Sequence, residues 1–232
     1  LKRVIIDETH SLMANKRGDL LSLALARLSV FSPHCKRIGL SATVAFPETL
    51  GAWLAGSDSV ANIIKVKAGE KPKVEMLHSK SRMPFGGFMA RYAIDDIYQA
   101  IENAQTTLVF VNTRAQSELL FQMLWEANKA ALPIALYHGS LSKEQRRKTE
   151  AMMASGMLRA IVCTSALELG IDWGDVDLVI QIGAPKNVKR LVQRIGRANH
   201  RYNAPSKALL VPANQFEVVE CAAALEATMA GE

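Results

Sequence analysis

From residue 89 onward the sequence alternates between short β-branched runs and stretches with helical spacing, and no other feature restricts its fold as much. Helical patterns over 89–104, 114–127, 143–154 and 216–229 are interleaved with strand patterns over 106–111, 134–137, 158–164, 177–182 and 207–211. Strands that alternate with helices need crossover connections, so neighbouring strands run parallel and both faces of the sheet are covered. The expected fold class is therefore α/β, with parallel sheets covered by helices.

The first third of the chain repeats the theme less regularly. Residues 3–8, RVIIDE, read as a buried parallel strand that ends in two acids, because Val4, Ile5 and Ile6 favour the extended state. A Lys16-Arg17-Gly18 turn then leads to a helix over 19–31 with Asp19 as its cap, whose Leu20, Leu21, Leu23, Leu25 and Leu28 form a broad apolar face. KRIGLSAT (36–43) repeats the strand-to-polar-turn pattern, Pro47 opens a helix that Gly56 closes, and 60–66 reads as a further strand. The Gly-, Pro- and Lys-rich stretch 67–73 marks a boundary, which divides the chain into 1–67, a connector 68–87 that includes a strand over 74–78, and 88–232. Leu1 opens directly into a strand, so a fragment of a longer protein is expected.

Charge narrows the partners. The 232 residues carry a net charge of +6, and from Gln181 to Arg201 there are six basic residues and no acidic ones. Six like charges so close repel one another unless an anion sits among them, and the guanidinium fork matches phosphate oxygens two bonds at a time. Within LVQRIGRANHR (191–201), Leu191, Val192 and Ile195 share one helical face while Gln193, Arg194, Arg197 and Arg201 point elsewhere. Ligands of open α/β sheets gather at the carboxyl ends of strands, where Asp7 and Glu8 fall. One such carboxylate can hold a hydrated Mg²⁺ and the next can orient a water. The three cysteines, Cys35, Cys163 and Cys221, form no C-x-x-C pair, which argues against zinc and for a reducing, cytoplasmic setting. No run of 18 apolar residues occurs, so no membrane partner is expected. Trp53 and Trp125 fall on apolar helix faces and are expected in the core.

DETH (7–10), SAT (41–43), VFVNTR (109–114), YHGSLS (137–142), TSALELGID (164–172) and QRIGRANHR (193–201) occur in this order, each at a strand's end or a helix's start. The set resembles superfamily 2 DEAD/DEAH-type helicases from the Walker B motif onward. KRGDLLSLALARL, GLSATV and LELGIDWGDVDLVI are similar to the large helicase-related (Lhr) family, and within it to the bacterial ligase-associated DEXH-box helicases.

The resemblance implies the last part of a first RecA-like domain (1–67), then a complete second one (88–232). It implies an ATP-dependent 3′-to-5′ DNA helicase or translocase serving DNA repair, with ATP hydrolysed between the two domains. ATP and Mg²⁺ are the implied cofactors. The implied partners are DNA, as single strand or duplex junction, and a DNA ligase and nuclease of the same pathway. Under it Asp7 sits near Mg²⁺, Glu8 orients the attacking water, and His10 couples the nucleotide site to the second domain. Ser41 and Thr43 link hydrolysis to strand movement. Asn112, Thr113, Arg114, His138, Gly139, Ser140 and Thr164 line the strand-binding surface. Gly170 and Asp172 face the nucleotide, Gln193 and Arg194 approach the triphosphate, and Arg197 or Arg201 is the arginine finger. RNA in place of DNA, and a non-catalytic nucleic-acid-binding piece, are the alternatives.

Two positions depart from the family pattern. Three residues after Arg197 the family places another arginine, where this chain has His200, with Arg201 one later. The sequence also contains no G-x-x-x-x-G-K-[ST] phosphate loop, so the chain alone is expected to bind nucleotide poorly and to unwind nothing.

Overall fold

The computed structural model describes residues 1–13, 15–41, 44, 46–56, 60–65, 71–87, 89–167, 176–198 and 205–230. It divides into two compact units, Leu1–Lys67 and Ala68–Glu232.

In the first unit, β1 (Arg3–Ile6) and β2 (Lys36–Gly39) pair in parallel, with Ile6 opposite Gly39. Among the described residues, helices α1 (Thr9–Leu12) and α2 (Lys16–Phe31) join the two strands and α3 (Pro47–Ala55) follows them. α2 starts three residues earlier than the sequence suggests. Asn15, not Asp19, caps it, its side-chain oxygen accepting from the amides of Arg17 and Gly18, so Lys16–Gly18 is the helix's first turn. Gly18 is required there, since a Cβ would lie 1.9 Å from the Leu12 carbonyl oxygen. Of the broad leucine face only Leu25 is buried, while Leu20 and Leu23 are 68% and 65% exposed. Residues 60–65 form no strand, contrary to expectation.

The second unit holds a six-stranded sheet, parallel throughout, in the order β3-β8-β7-β4-β6-β5. Its strands are β3 (Lys73–Met76), β4 (Thr107–Phe110), β5 (Ile134–Tyr137), β6 (Ala160–Cys163), β7 (Leu178–Ile182) and β8 (Lys207–Val211). Helices α4 (Ile94–Asn103), α5 (Arg114–Ala127), α6 (Lys143–Ala154), α7 (Val188–Ile195) and α8 (Gln215–Ala230) connect or follow them. One element differs from the sequence reading: α4 begins at Ile94 behind a 3₁₀ turn, Arg91–Ala93, whereas β3 falls where a strand over 74–78 is expected within the connector. β3 is one edge of the sheet, paired with β8, and β5 is the other.

Alternation along β4 explains why both faces are closed. Leu108 and Phe110 pack with Met153 of α6, Leu191 and Ile195 of α7, and Cys221 of α8. Val109 and Val111 pack on the opposite side with Ile97 and Ile101 of α4 and Leu120 and Leu124 of α5. Trp125 does not join this core; it is 59% exposed and leans on Phe121 instead. No helix among the described residues is long and apolar enough to cross a membrane.

Candidate nucleotide and nucleic-acid sites

In the first unit β1 delivers the acids. Asp7 Oδ1 accepts the Glu8 amide at 2.8 Å, and Glu8 itself takes a left-handed backbone, φ 52° and ψ 38°. For a non-glycine residue such a conformation costs about 1–3 kcal/mol, and the surroundings must hold it. They do so through the next residues: Thr9 N–H and Oγ1 both bond the Leu40 carbonyl, which fixes the acidic turn against the end of β2. His10, 8% exposed, is 3.3 Å by Nε2 from Glu8 Oε2 and 3.1 Å by Nδ1 from Ser41 Oγ. A neutral ring donating from Nε2 to the carboxylate and accepting the Ser41 hydroxyl proton at Nδ1 satisfies all three groups. The structure thus joins DETH to the SAT segment through one histidine.

Asp7 is exposed, with one oxygen engaged by the Glu8 amide. That suits Mg²⁺, which keeps most of its waters and takes its other ligands from phosphates. Among the described residues no group of three or more His, Cys, Asp and Glu side chains forms a metal cage. When bound, the ion would supply charge stabilisation to phosphate oxygens, with Asp7 as its protein partner.

In the second unit the strand order does the gathering. Residues 112–114 follow β4, 138–140 follow β5 and Thr164 follows β6, and these strands lie side by side as β4-β6-β5. Parallel pairing puts their carboxyl ends on one edge of the sheet. Arg114 is the first residue of α5, and its Nε donates to Glu118 Oε1 at 2.8 Å. His138, 3% exposed, approaches the same oxygen with Nε2 at 3.4 Å. The Arg114 bond is the main reason the Glu118 carboxyl is held below the usual carboxylate range. Gly139 and Ser140 are exposed, and a Cβ at Gly139 would meet nothing within 4 Å. Neither backbone conformation nor packing asks for glycine at 139. Beneath them the Tyr137 phenol, pushed up to about 12 chiefly by burial, donates to Glu150 at 2.6 Å.

Two expected strand-lining residues are engaged within the unit. Thr113 caps α5, accepting from the Gln116 amide, while Gln116 Oε1 accepts the amides of Asn112 and Thr113. The Asn112 side-chain amide donates to the Ala184 carbonyl at 2.8 Å, and the Ala184 amide donates to Glu217. Asn112 therefore ties the end of β4 to the ends of β7 and α8.

Arg194 corrects the reading of the basic helix. It is 2% exposed, lies 4.9 Å over the Phe110 ring, and donates to Gln181 Oε1. Instead of pointing away toward a triphosphate, it shares the buried face of α7 with Leu191 and Ile195, whereas Val192 is 44% exposed. The long aliphatic stem fills the layer between helix and sheet, and Gln181 and the aromatic face receive the charge. Gln181 in turn donates to the carbonyls of Ile182 and Gly183, so it is anchored before it meets the arginine. Gln193 and Arg197 are half-buried, Arg197 beyond the helix in a turn closed by its amide on the Arg194 carbonyl. Thr43, Gly170, Asp172 and Arg201 lie outside the described residues.

Comparison with known proteins adds the relationship. The helicase conserved C-terminal domain matches residues 92–202. The ATP-dependent helicase Lhr-Core protein 2 of Thermococcus barophilus is 36% identical over 229 residues, 95% of this chain and 26% of that protein. The Lhr helicase/uracil glycosylase of Escherichia coli is 34% identical over 278 residues, 100% of this chain and 18% of its own length. The structure of Mycobacterium smegmatis helicase Lhr bound to ssDNA and AMP-PNP superimposes with a TM-score of 0.87 at 34% identity, covering 100% of this chain and 31% of that one. The chain belongs to the Lhr-like helicases of superfamily 2. It spans about a quarter of the length of the Lhr-Core relatives it matches. Saccharomyces cerevisiae Dbp5 bound to RNA and ADP BeF3, at 16% identity and a TM-score of 0.74, shares the fold alone.

Reading this Lhr-like sequence for motifs missed two residues that organise them. Gln116 and Glu118 lie outside the NTR tripeptide, yet both were visible: Thr113-x-x-Gln116 is a capping-box spacing, and Arg114 to Glu118 is an i,i+4 pair. A cavity of about 660 Å³ beside β5, lined by Trp125, Leu132, Leu136 and Met152, includes none of the expected site residues.

Proposed function

We propose that the protein containing this chain is an ATP-dependent helicase or translocase that moves 3′-to-5′ on DNA. The first unit contributes the acids Asp7 and Glu8, and the second contributes Arg197 and a phosphate-gripping surface. The observation that carries this reading is the parallel order β4-β6-β5, which sets Arg114, His138–Ser140 and Thr164 on one edge of the sheet. Small hydroxyls, a bare glycine and an arginine suit sequence-independent contact with a sugar-phosphate backbone. Likeness to a helicase bound to ssDNA and AMP-PNP supports DNA as the track and ATP as the fuel, and the exposed Asp7 carboxylate suits Mg²⁺ beside it. The sequence's resemblance to ligase-associated DEXH-box helicases extends the proposal to a cytoplasmic role in DNA repair beside a ligase and a nuclease.

The chemistry follows from the residues present. Glu8, held by its strained turn and by His10, orients the water that attacks the terminal phosphate. His10 passes any shift of Glu8 to Ser41 and so to the end of β2. Strand displacement by the full-length parent on duplexes with 3′ or 5′ single-stranded tails, in DNA and in RNA, tests the reading. ATP-dependent displacement from a 3′ DNA tail is expected. Displacement from only the 5′ tail reverses the polarity, displacement confined to RNA replaces the substrate, and displacement without ATP removes the motor.

A further inference from the structure

Arg114, Glu118 and His138 form a cluster that a surface ion pair alone does not account for. An i,i+4 pair on an exposed helix contributes a few tenths of a kcal/mol, roughly, and is best with the acid first. Here the order is reversed: the arginine is the first residue of α5, where a cation opposes the positive end of the helix dipole. Helix stability does not select this arrangement. A third group is also drawn in, because buried His138, from the end of β5, approaches the same carboxylate oxygen at 3.4 Å. The carboxylate thereby links α5 to the end of β5. Arg114 uses only Nε in this contact, its side chain is 60% exposed, and among the described residues its two terminal nitrogens have no protein partner. Its backbone is fixed, since the Ser117 hydroxyl donates to the Arg114 carbonyl and Thr113 closes the capping box.

We propose that Glu118 is a positioning residue for nucleic-acid binding: it grips Arg114 by Nε, braced by His138, so that the forked end of the guanidinium is held out to a backbone phosphodiester. Arginine offers five donors in a rigid plane, so anchoring one edge sets the direction of the other. Gly139, bare and exposed on the same edge of the sheet, leaves room for the phosphate. The inference rests on the strand-binding reading of this surface and names a residue that touches no ligand itself.

The sign of the effect separates this role from a bystander's. Neutralising an acid on a nucleic-acid surface strengthens binding by simple electrostatics. If Glu118 positions Arg114, neutralising it weakens binding instead. The experiment uses the full-length parent with a fluorescent single-stranded oligonucleotide, comparing Glu118→Gln, Arg114→Ala, the double variant, and Glu126→Gln as a control on the same helix. Glu118→Gln is expected to weaken binding about fivefold and to raise the strand concentration for half-maximal ATP turnover by the same factor, with kcat changing less than about twofold. Arg114→Ala is expected to lower the salt slope of binding by about one, and the double variant to bind no more weakly than Arg114→Ala alone. Tighter or unchanged binding by Glu118→Gln, with Arg114→Ala still weakened, overturns the positioning role and leaves the strand surface standing. Full binding by Arg114→Ala overturns the strand reading of this edge and the proposal with it.

Discussion

Each unit buries a histidine beside a glutamate, and the two pairs are connected differently. His10 has both nitrogens engaged, 3.3 Å from Glu8 and 3.1 Å from Ser41, so it joins the turn after β1 to the end of β2. His138 approaches Glu118 through Nε2, and neither ring nitrogen makes a well-aligned hydrogen bond. In the first pair the glutamate is carried on a left-handed turn and, in the proposed function, is the group that orients the attacking water. In the second the glutamate is an intermediary, with an arginine as its outward-facing partner. A closed relay transmits a change at one end to the other, whereas an anchored fork holds one direction. The same residue types therefore suit response in one unit and grip in the other.

Glu8→Gln in the full-length parent tests the first half of that contrast most strongly. Turnover of ATP should fall about a hundredfold or more while oligonucleotide affinity stays within about twofold. Turnover above half the parental value would remove Glu8 from the chemistry. Gln181→Leu comes next: depriving buried Arg194 of this acceptor should cost about 2–3 kcal/mol, read as a lower urea midpoint for the second unit. An unshifted midpoint would mean that Phe110 and the apolar layer hold the guanidinium without it.

The two histidines are then compared directly. His10→Gln should lower kcat about tenfold at unchanged strand affinity, and His138→Gln should weaken strand affinity about threefold at unchanged kcat. Equal effects on both parameters from both variants would break the distinction. The smallest effect is on pH dependence. Burial raises the phenols of Tyr92 and Tyr137 from 10.0 to about 12, so in the folded state they keep protons that the unfolded chain gives up. Their contribution is complete below pH 10 and is lost as pH rises toward about 12, which denaturation at a series of alkaline pH values would show. Glu118 works in the opposite sense: its carboxyl is lowered, so the contribution of its ionised form is present at neutral pH and lost only as acid protonates it.

Much of the second unit was legible because its signals are local. Leu108 to Val111 are continuous and apolar since helices cover both faces, and that continuity is written in the sequence. Motif residues fall after strands because loops at carboxyl ends carry function. Arg194 was not legible. Spacing puts Arg194 three residues after Leu191, on its side of the helix, but the charge argues for the wet face, and Gln181 from β7 and Phe110 from β4 are the partners that reverse that. Asn15 outcompeted Asp19 as a cap because its side chain reaches two amides of the turn that Gly18 lets pack against Leu12.

By itself the sequence determined the α/β class, the strand-helix alternation and the motif order, since each depends on neighbours a few residues apart. Only the tertiary structure decided that β6 lies between β4 and β5, that β3 closes the edge beside β8, and that Arg194 turns inward. It alone brought Glu118 to His138. Those outcomes depend on which distant strand supplies the partner, and chain spacing carries no record of that choice.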